Sequence, residues 1–143
     1  MLLSIMKPTK IWANLGVENI ERTRTFYETL GFKLNGSPTK DLVSFLFGGE
    51  DFIIHFFEKE KLKSSLEGEI ADLSQGNEII FSMSAPSKQD YDAWIEEIKN
   101  AGGTVLFDSN TDRKKFYDEN GYLVCVFADP DGHKFNLLYS DNM

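Results

Sequence analysis

From Lys10 to Val17 the side chains alternate, with Trp12, Asn14 and Gly16 on one side and Ile11, Ala13, Leu15 and Val17 on the other. This period of two is the signature of a strand. The period then changes. Asn19 is placed to cap a helix, Ile20, Thr23, Phe26, Tyr27 and Leu30 recur on one helical face, and Gly31 stops it. Three extended pieces follow, at about 32–35, 42–47 and 51–57, and Gly48-Gly49 punctuates a hairpin between the last two.

After a charged, irregular connector with a short helix near 61–66, the pattern begins again. Residues 78–83 read as a strand ended by Ser84-Ala85-Pro86. Ser87 then caps a helix whose Tyr91, Trp94, Ile95 and Ile98 fall at i, i+3, i+4 and i+7. Gly102-Gly103 ends the helix, and extended pieces are expected at about 104–107, 121–127 and 133–139. The polar stretch between Asp108 and Asn120 shows neither period and is expected to form a loop over a site. The last strand follows Asp129-Pro130-Asp131-Gly132, whose proline, carboxylates and glycine are turn chemistry. In that strand Lys134, Asn136 and Leu138 share one face, and His133, Phe135, Leu137 and Tyr139 share the more apolar one.

The two copies of strand, helix and three strands predict an α+β fold of two βαβββ modules. The modules span about 8–58 and 77–140, with a connector at about 59–76, in one domain over 1–143. At 143 residues, 41% hydrophobic and with 12 Phe, the chain has enough apolar surface for one substantial core. Its charge of −8 disfavours nucleic acid as a partner, and the short basic runs at Lys59, Lys61 and Lys63 and at Arg113-Lys114-Lys115 read as solvated connections. The single cysteine, Cys125 within Leu-Val-Cys-Val-Phe, permits no intrachain disulfide and reads as a buried structural thiol. No secretion signal and no run of about 20 apolar residues is present, so a cytoplasmic protein without a membrane partner is expected.

Asn14-Leu15-Gly16-Val17, Ile20-Glu21-Arg22-Thr23, Phe26-Tyr27-Glu28-Thr29-Leu30-Gly31-Phe32, Ala101-Gly102-Gly103 and Asp129-Pro130-Asp131-Gly132-His133 occur here in this order. Their order and spacing resemble the vicinal oxygen chelate superfamily of glyoxalases, bleomycin-resistance proteins and extradiol dioxygenases, over nearly the whole chain. The resemblance implies an open eight-stranded cleft with helices outside, and a homodimer. Metal-dependent members place His or Glu at four cleft-facing positions, which the resemblance carries to Asn14, His55, Ile80 and Asn136, with Glu78 as the alternative to Ile80.

Two amides and an aliphatic side chain are poor ligands for Zn²⁺, Ni²⁺, Mn²⁺ or Fe²⁺, so no metal, no cofactor and no catalytic residue is assigned. His55 reads as a neutral imidazole hydrogen-bonded in the cleft, with a metal ligand or a lone general base as the alternatives. His133 reads as structural. Asn14 and Asn136 either orient a ligand's polar group or satisfy buried backbone groups, and Trp12 offers an aromatic wall to which Phe45 or Phe47 contributes. The ligand-binding set is therefore Trp12, Asn14, His55 and Asn136. It suits metal-independent binding or sequestration of an unidentified small molecule, as in the bleomycin-resistance branch. The alternatives are a divergent glyoxalase-like lyase or isomerase, and a structural or regulatory dimer with a vestigial cleft. An open cavity above roughly 300 Å³ favours binding, whereas a cleft filled by aromatic side chains favours structure.

Overall fold

The computed structural model describes residues 5–49 and 51–142. The first module runs β1 (Ala13–Val17), α1 (Ile20–Thr29), β2 (Lys33–Leu34), β3 (Leu42–Phe47) and β4 (Phe52–Glu58). The connector carries α2 (Lys59–Leu66). The second module runs β5 (Ile80–Ser84), α3 (Lys88–Asn100), β6 (Thr104–Asp108), β7 (Leu123–Ala128) and β8 (Lys134–Tyr139). Between β6 and β7 lie a 3₁₀ turn (Ser109–Asp112) and α4 (Arg113–Asn120). The fold is α+β and built of two βαβββ modules.

The eight strands hydrogen-bond as two four-stranded sheets, ordered β1-β4-β3-β2 and β5-β8-β7-β6. In each the module's first strand is an edge strand, parallel to its fourth, while the remaining pairs are antiparallel. Period-2 alternation sends Val43, Phe45, Phe47, Ile54 and Phe56 from one sheet and Leu123, Cys125, Phe127, Phe135 and Leu137 from the other into a single core cluster. Helix α1 contributes Phe26 and Tyr27 to the same cluster, and α3 contributes Tyr91, Ile95 and Ile98. Burial pushes the Cys125 thiol up to about 12, which leaves it an inert packing group.

Asn19 caps α1 by accepting the N–H of Arg22 at 3.0 Å, and Ser87 caps α3 by accepting that of Asp90 at 3.0 Å. The 108–120 stretch corrects the expected loop. Asp108 accepts the N–H of Asn110, Arg113 reaches both Asn110 and Asp92, and Phe116 lies between Phe107 and Tyr122. A 3₁₀ turn and an eight-residue helix, held by side-chain bonds and a few rings, leave little hydrophobic period to read, which is why the pattern missed them.

The Asp129-Pro130-Asp131-Gly132 turn locks the modules together. Asp129, 3% exposed, accepts the Tyr27 hydroxyl at 2.7 Å and His133 Nδ1 at 2.8 Å on one oxygen. Its other oxygen takes the backbone N–H groups of Asp131 and His133. Asp131 accepts the Glu18 N–H at 2.9 Å and the Arg22 guanidinium at 2.7 Å. Gly132 sits at φ +97°, and a Cβ there would lie 3.3 Å from Leu73 Cβ, so the turn demands glycine on two grounds.

Candidate functional site

The strand faces turned away from the core carry the polar residues of interest. Register places Asn14 of β1 beside His55 of β4, with Ser44 of β3 on the other side of His55. In the second sheet it is Ser82, two residues beyond Ile80, that lies beside Asn136 of β8. The equivalence of the modules therefore makes the four positions Asn14, His55, Ser82 and Asn136. Ile80 pairs with Lys134 at the start of β5, and Glu78 precedes the strand. Sequence alone could not fix this, because a shift of two preserves the face and only the ladder counts the step.

His55 lies among rings. Trp12 is 6.0 Å away and tilted, and Phe57 is 6.0 Å away and nearly parallel. Burial lowers the His55 pKa from its ordinary value, since a charged imidazole loses hydration there without a compensating anion. Its Nδ1 is buried without a partner, as is Oδ1 of Asn136. Asn14 is exposed on the edge strand, and so is Trp12 just before it. Ser44 is buried and accepts from the Asn35 side chain at 3.1 Å. Ser44 and Ser82 are the polar neighbours that sequence reasoning passed over, and pairing of the period-2 faces is the signal that finds them.

The structure thus brings together Trp12, Asn14 and His55 on one sheet, and Ser82 and Asn136 on the other. Among the described residues no hydrogen bond or ring contact joins the two groups. His133 lies on the core side, bonded to Asp129, as its place in the last strand predicts. Phe45 and Phe47 also belong to the core face and stand on the opposite side of the sheet from His55.

Two cavities flank this arrangement. One of about 380 Å³ is bordered by Asn14, Gly16, Leu62, Ile70, Asp131 and His133, under the connector. The larger, about 590 Å³, lies on the core side of the strands, between α3 and the end of α1. The smaller cavity therefore reaches one of the amides, Asn14, whereas the larger lies on the core side and touches the polar face of the second sheet only at Ser82 and Ser84 of the edge strand β5.

A family model of the Glyoxalase/Bleomycin resistance protein/Dioxygenase superfamily matches residues 11–137. The chain belongs to that superfamily. Among solved structures with this fold, hypothetical protein SA1046 from S. aureus is 26% identical, with 94% of this chain and 95% of that one covered and a TM-score of 0.75. Lactoylglutathione lyase from Agrobacterium tumefaciens is 16% identical over 94% of this chain and 96% of its own, at a TM-score of 0.63. Fosfomycin resistance protein FosX from Mesorhizobium loti is 17% identical over 94% of each chain, at a TM-score of 0.63. A comparison with curated proteins finds no match.

The superfamily's metal-dependent chemistry asks these positions for imidazole and carboxylate donors. The four that register assigns, Asn14, His55, Ser82 and Asn136, offer one imidazole, two amides and a hydroxyl. Among the described residues no group of three or more His, Cys, Asp or Glu is placed to hold a metal ion. This donor set does not fit a divalent cation, whose binding in such sites depends on anionic or imidazole ligands. Its chemistry is that of neutral hydrogen bonding beside aromatic surface.

Proposed function

We propose that this superfamily member binds a small molecule without a metal, on the strand faces that carry Trp12, Asn14, His55 and Asn136. The carrying observation is the pairing of neutral polar groups at the four equivalent positions, with His55 Nδ1 and Asn136 Oδ1 lacking any protein partner. Buried polar atoms without protein partners are uncommon, and each calls for a partner from outside the chain, a water, a ligand or a second copy. Asn14, Ser82 and Asn136 would orient a neutral polar group, and Trp12, His55 and Phe57 would cover its apolar part.

A homodimer and a cytoplasmic location belong to the same proposal. Edge strands β1 and β5 are accompanied by exposed apolar side chains, Ile11 at 82%, Trp12 at 49%, Ile79 at 56% and Ile80 at 46%. Unpaired edges flanked by such residues are surfaces a second copy would cover. A copy meeting β1 or β5 would enclose the open strand faces, supplying the walls that the isolated chain lacks. Among the described residues no helix is long and apolar enough to cross a membrane.

The test is metal analysis of protein purified without chelator, reconstitution with Zn²⁺, Ni²⁺, Mn²⁺ and Fe²⁺, and sedimentation across a concentration range. A metal-free dimer inactive toward a glutathione hemithioacetal is expected. One metal per chain held through dialysis, released in His55→Ala and required for hemithioacetal conversion would establish the lyase instead. Monomer behaviour at all concentrations would remove the second copy from the site.

A further inference from the structure

We propose that the 590 Å³ cavity on the core side of the strands is a second ligand site, for a flat, apolar molecule carrying one positive charge. Its wall is a continuous run of rings. Phe52 meets Phe81 at 6.1 Å, Phe81 meets Phe135 at 5.4 Å, Phe135 meets Phe47 at 6.3 Å, and Phe47 meets Phe32 at 4.5 Å. All five border the cavity, and Trp94 of α3 and Met83 of β5 add to it. Aromatic faces and a thioether favour a planar apolar guest, and the volume is that of a drug-sized ligand. Water in such a space finds few of the two to four polar partners that hold an ordered molecule. The hydration it carries is easily displaced.

Glu97, exposed on α3, is the single charged residue among those described around the cavity. A carboxylate at an aromatic wall selects for a cation, which the ring faces also attract, and the chain's charge of −8 adds to this. Along β4 and β8 the site is separate from the strand-face site. In β4, Phe52 and Ile54 face the cavity's side while Ile53 and His55 face the other, and in β8 Phe135 and Leu137 alternate with Asn136. Across β4 and β8 one sheet thickness divides them, and they meet only at the edge strand β5, where Ser82 borders both.

Fluorescence titration with three flat probes tests the proposal: cationic acridine orange, neutral N-phenyl-1-naphthylamine and anionic 1-anilinonaphthalene-8-sulfonate. Saturable binding of one probe per chain is expected, tightest for the cation and weakest for the anion. Glu97→Gln should weaken the cation about twofold to fivefold and leave the neutral probe unchanged, the reach of one exposed carboxylate. Met83→Trp, which fills the cavity, should abolish binding of all three with the near-ultraviolet circular dichroism of a folded chain retained. If that variant does not fold, Leu30→Trp narrows the same space from the end of α1. Binding that survives in a folded cavity-filling variant would overturn the site. Loss of binding in His55→Ala would place the probe on the opposite face and overturn it equally. Equal affinity for all three probes would overturn the charge assignment.

Discussion

The two modules repeat one plan, yet their buried tyrosines do different work. Tyr27 of α1 and Tyr91 of α3 are both essentially inaccessible. Burial raises the pKa of each phenol, and for Tyr27 the neighbouring Asp129 raises it further, so both stay protonated. Tyr27 donates to Asp129, in the other module and 102 residues away, whereas the Tyr91 hydroxyl lies 3.4 Å from Ser109 Oγ in its own module. The contrast teaches that similar helices can serve opposite ends. One fastens the modules to each other, and the other pins the turn after β6 to its own sheet, where Ser109 also accepts the Val124 N–H.

The sharpest way to break this contrast is Asp129→Ala. It leaves the Tyr27 hydroxyl, the His133 ring and two backbone N–H groups without their acceptor, and should cost about 3–5 kcal/mol. Ser109→Ala, on the Tyr91 side, should cost about 1–2 kcal/mol. Chemical denaturation of both variants checks the order, and equal losses would show that the module junction has no special weight.

The tyrosine hydroxyls give a finer comparison. Tyr27→Phe removes a hydrogen bond to a carboxylate and should cost about 1.5–3 kcal/mol, against about 0.5–1 kcal/mol for Tyr91→Phe and its long neutral contact. A larger loss in Tyr91→Phe would reverse the assignment of roles.

The smallest effect is a pH dependence in the first module. Because the folded pKa of His55 is lowered, the unfolded chain takes up the proton first as pH falls through about 6.5. Stability from this group is therefore complete above that value and declines below it, until the native imidazole is protonated as well. His55→Gln should flatten the decline in melting temperature between pH 7.5 and 5.5. Parallel curves for the two proteins would show that the site does not desolvate the ring.

Much of this architecture was legible in the residues. The caps at Asn19 and Ser87, the faces of α1 and α3, the hairpin at Gly48-Gly49 and the turn before β8 all rest on local chemistry that acts over a few positions. The site was legible only in part. Asn14 and His55 are adjacent, as the family resemblance implies, but the partner of Asn136 is Ser82, because register is set by pairing across strands distant in sequence. The cavity lay beyond reach for the same reason. Phe47, Phe52, Phe81 and Phe135 read individually as core, and only module packing leaves a space between them.

The Asp129-Gly132 turn also bears on how the chain reaches this structure. Its bonds to Glu18, Arg22 and Tyr27 span 113, 109 and 102 residues, so they close nearly the longest loops the chain can form. Loop closure of that length is entropically costly and is met late, whereas the β3–β4 and β7–β8 hairpins close over short spans. During synthesis the first module emerges with the Tyr27 hydroxyl unanswered, and the acceptor arrives only with the last strands. By this ordering the C-terminal turn is expected to join the first module to the last strands after the short-range hairpins have closed.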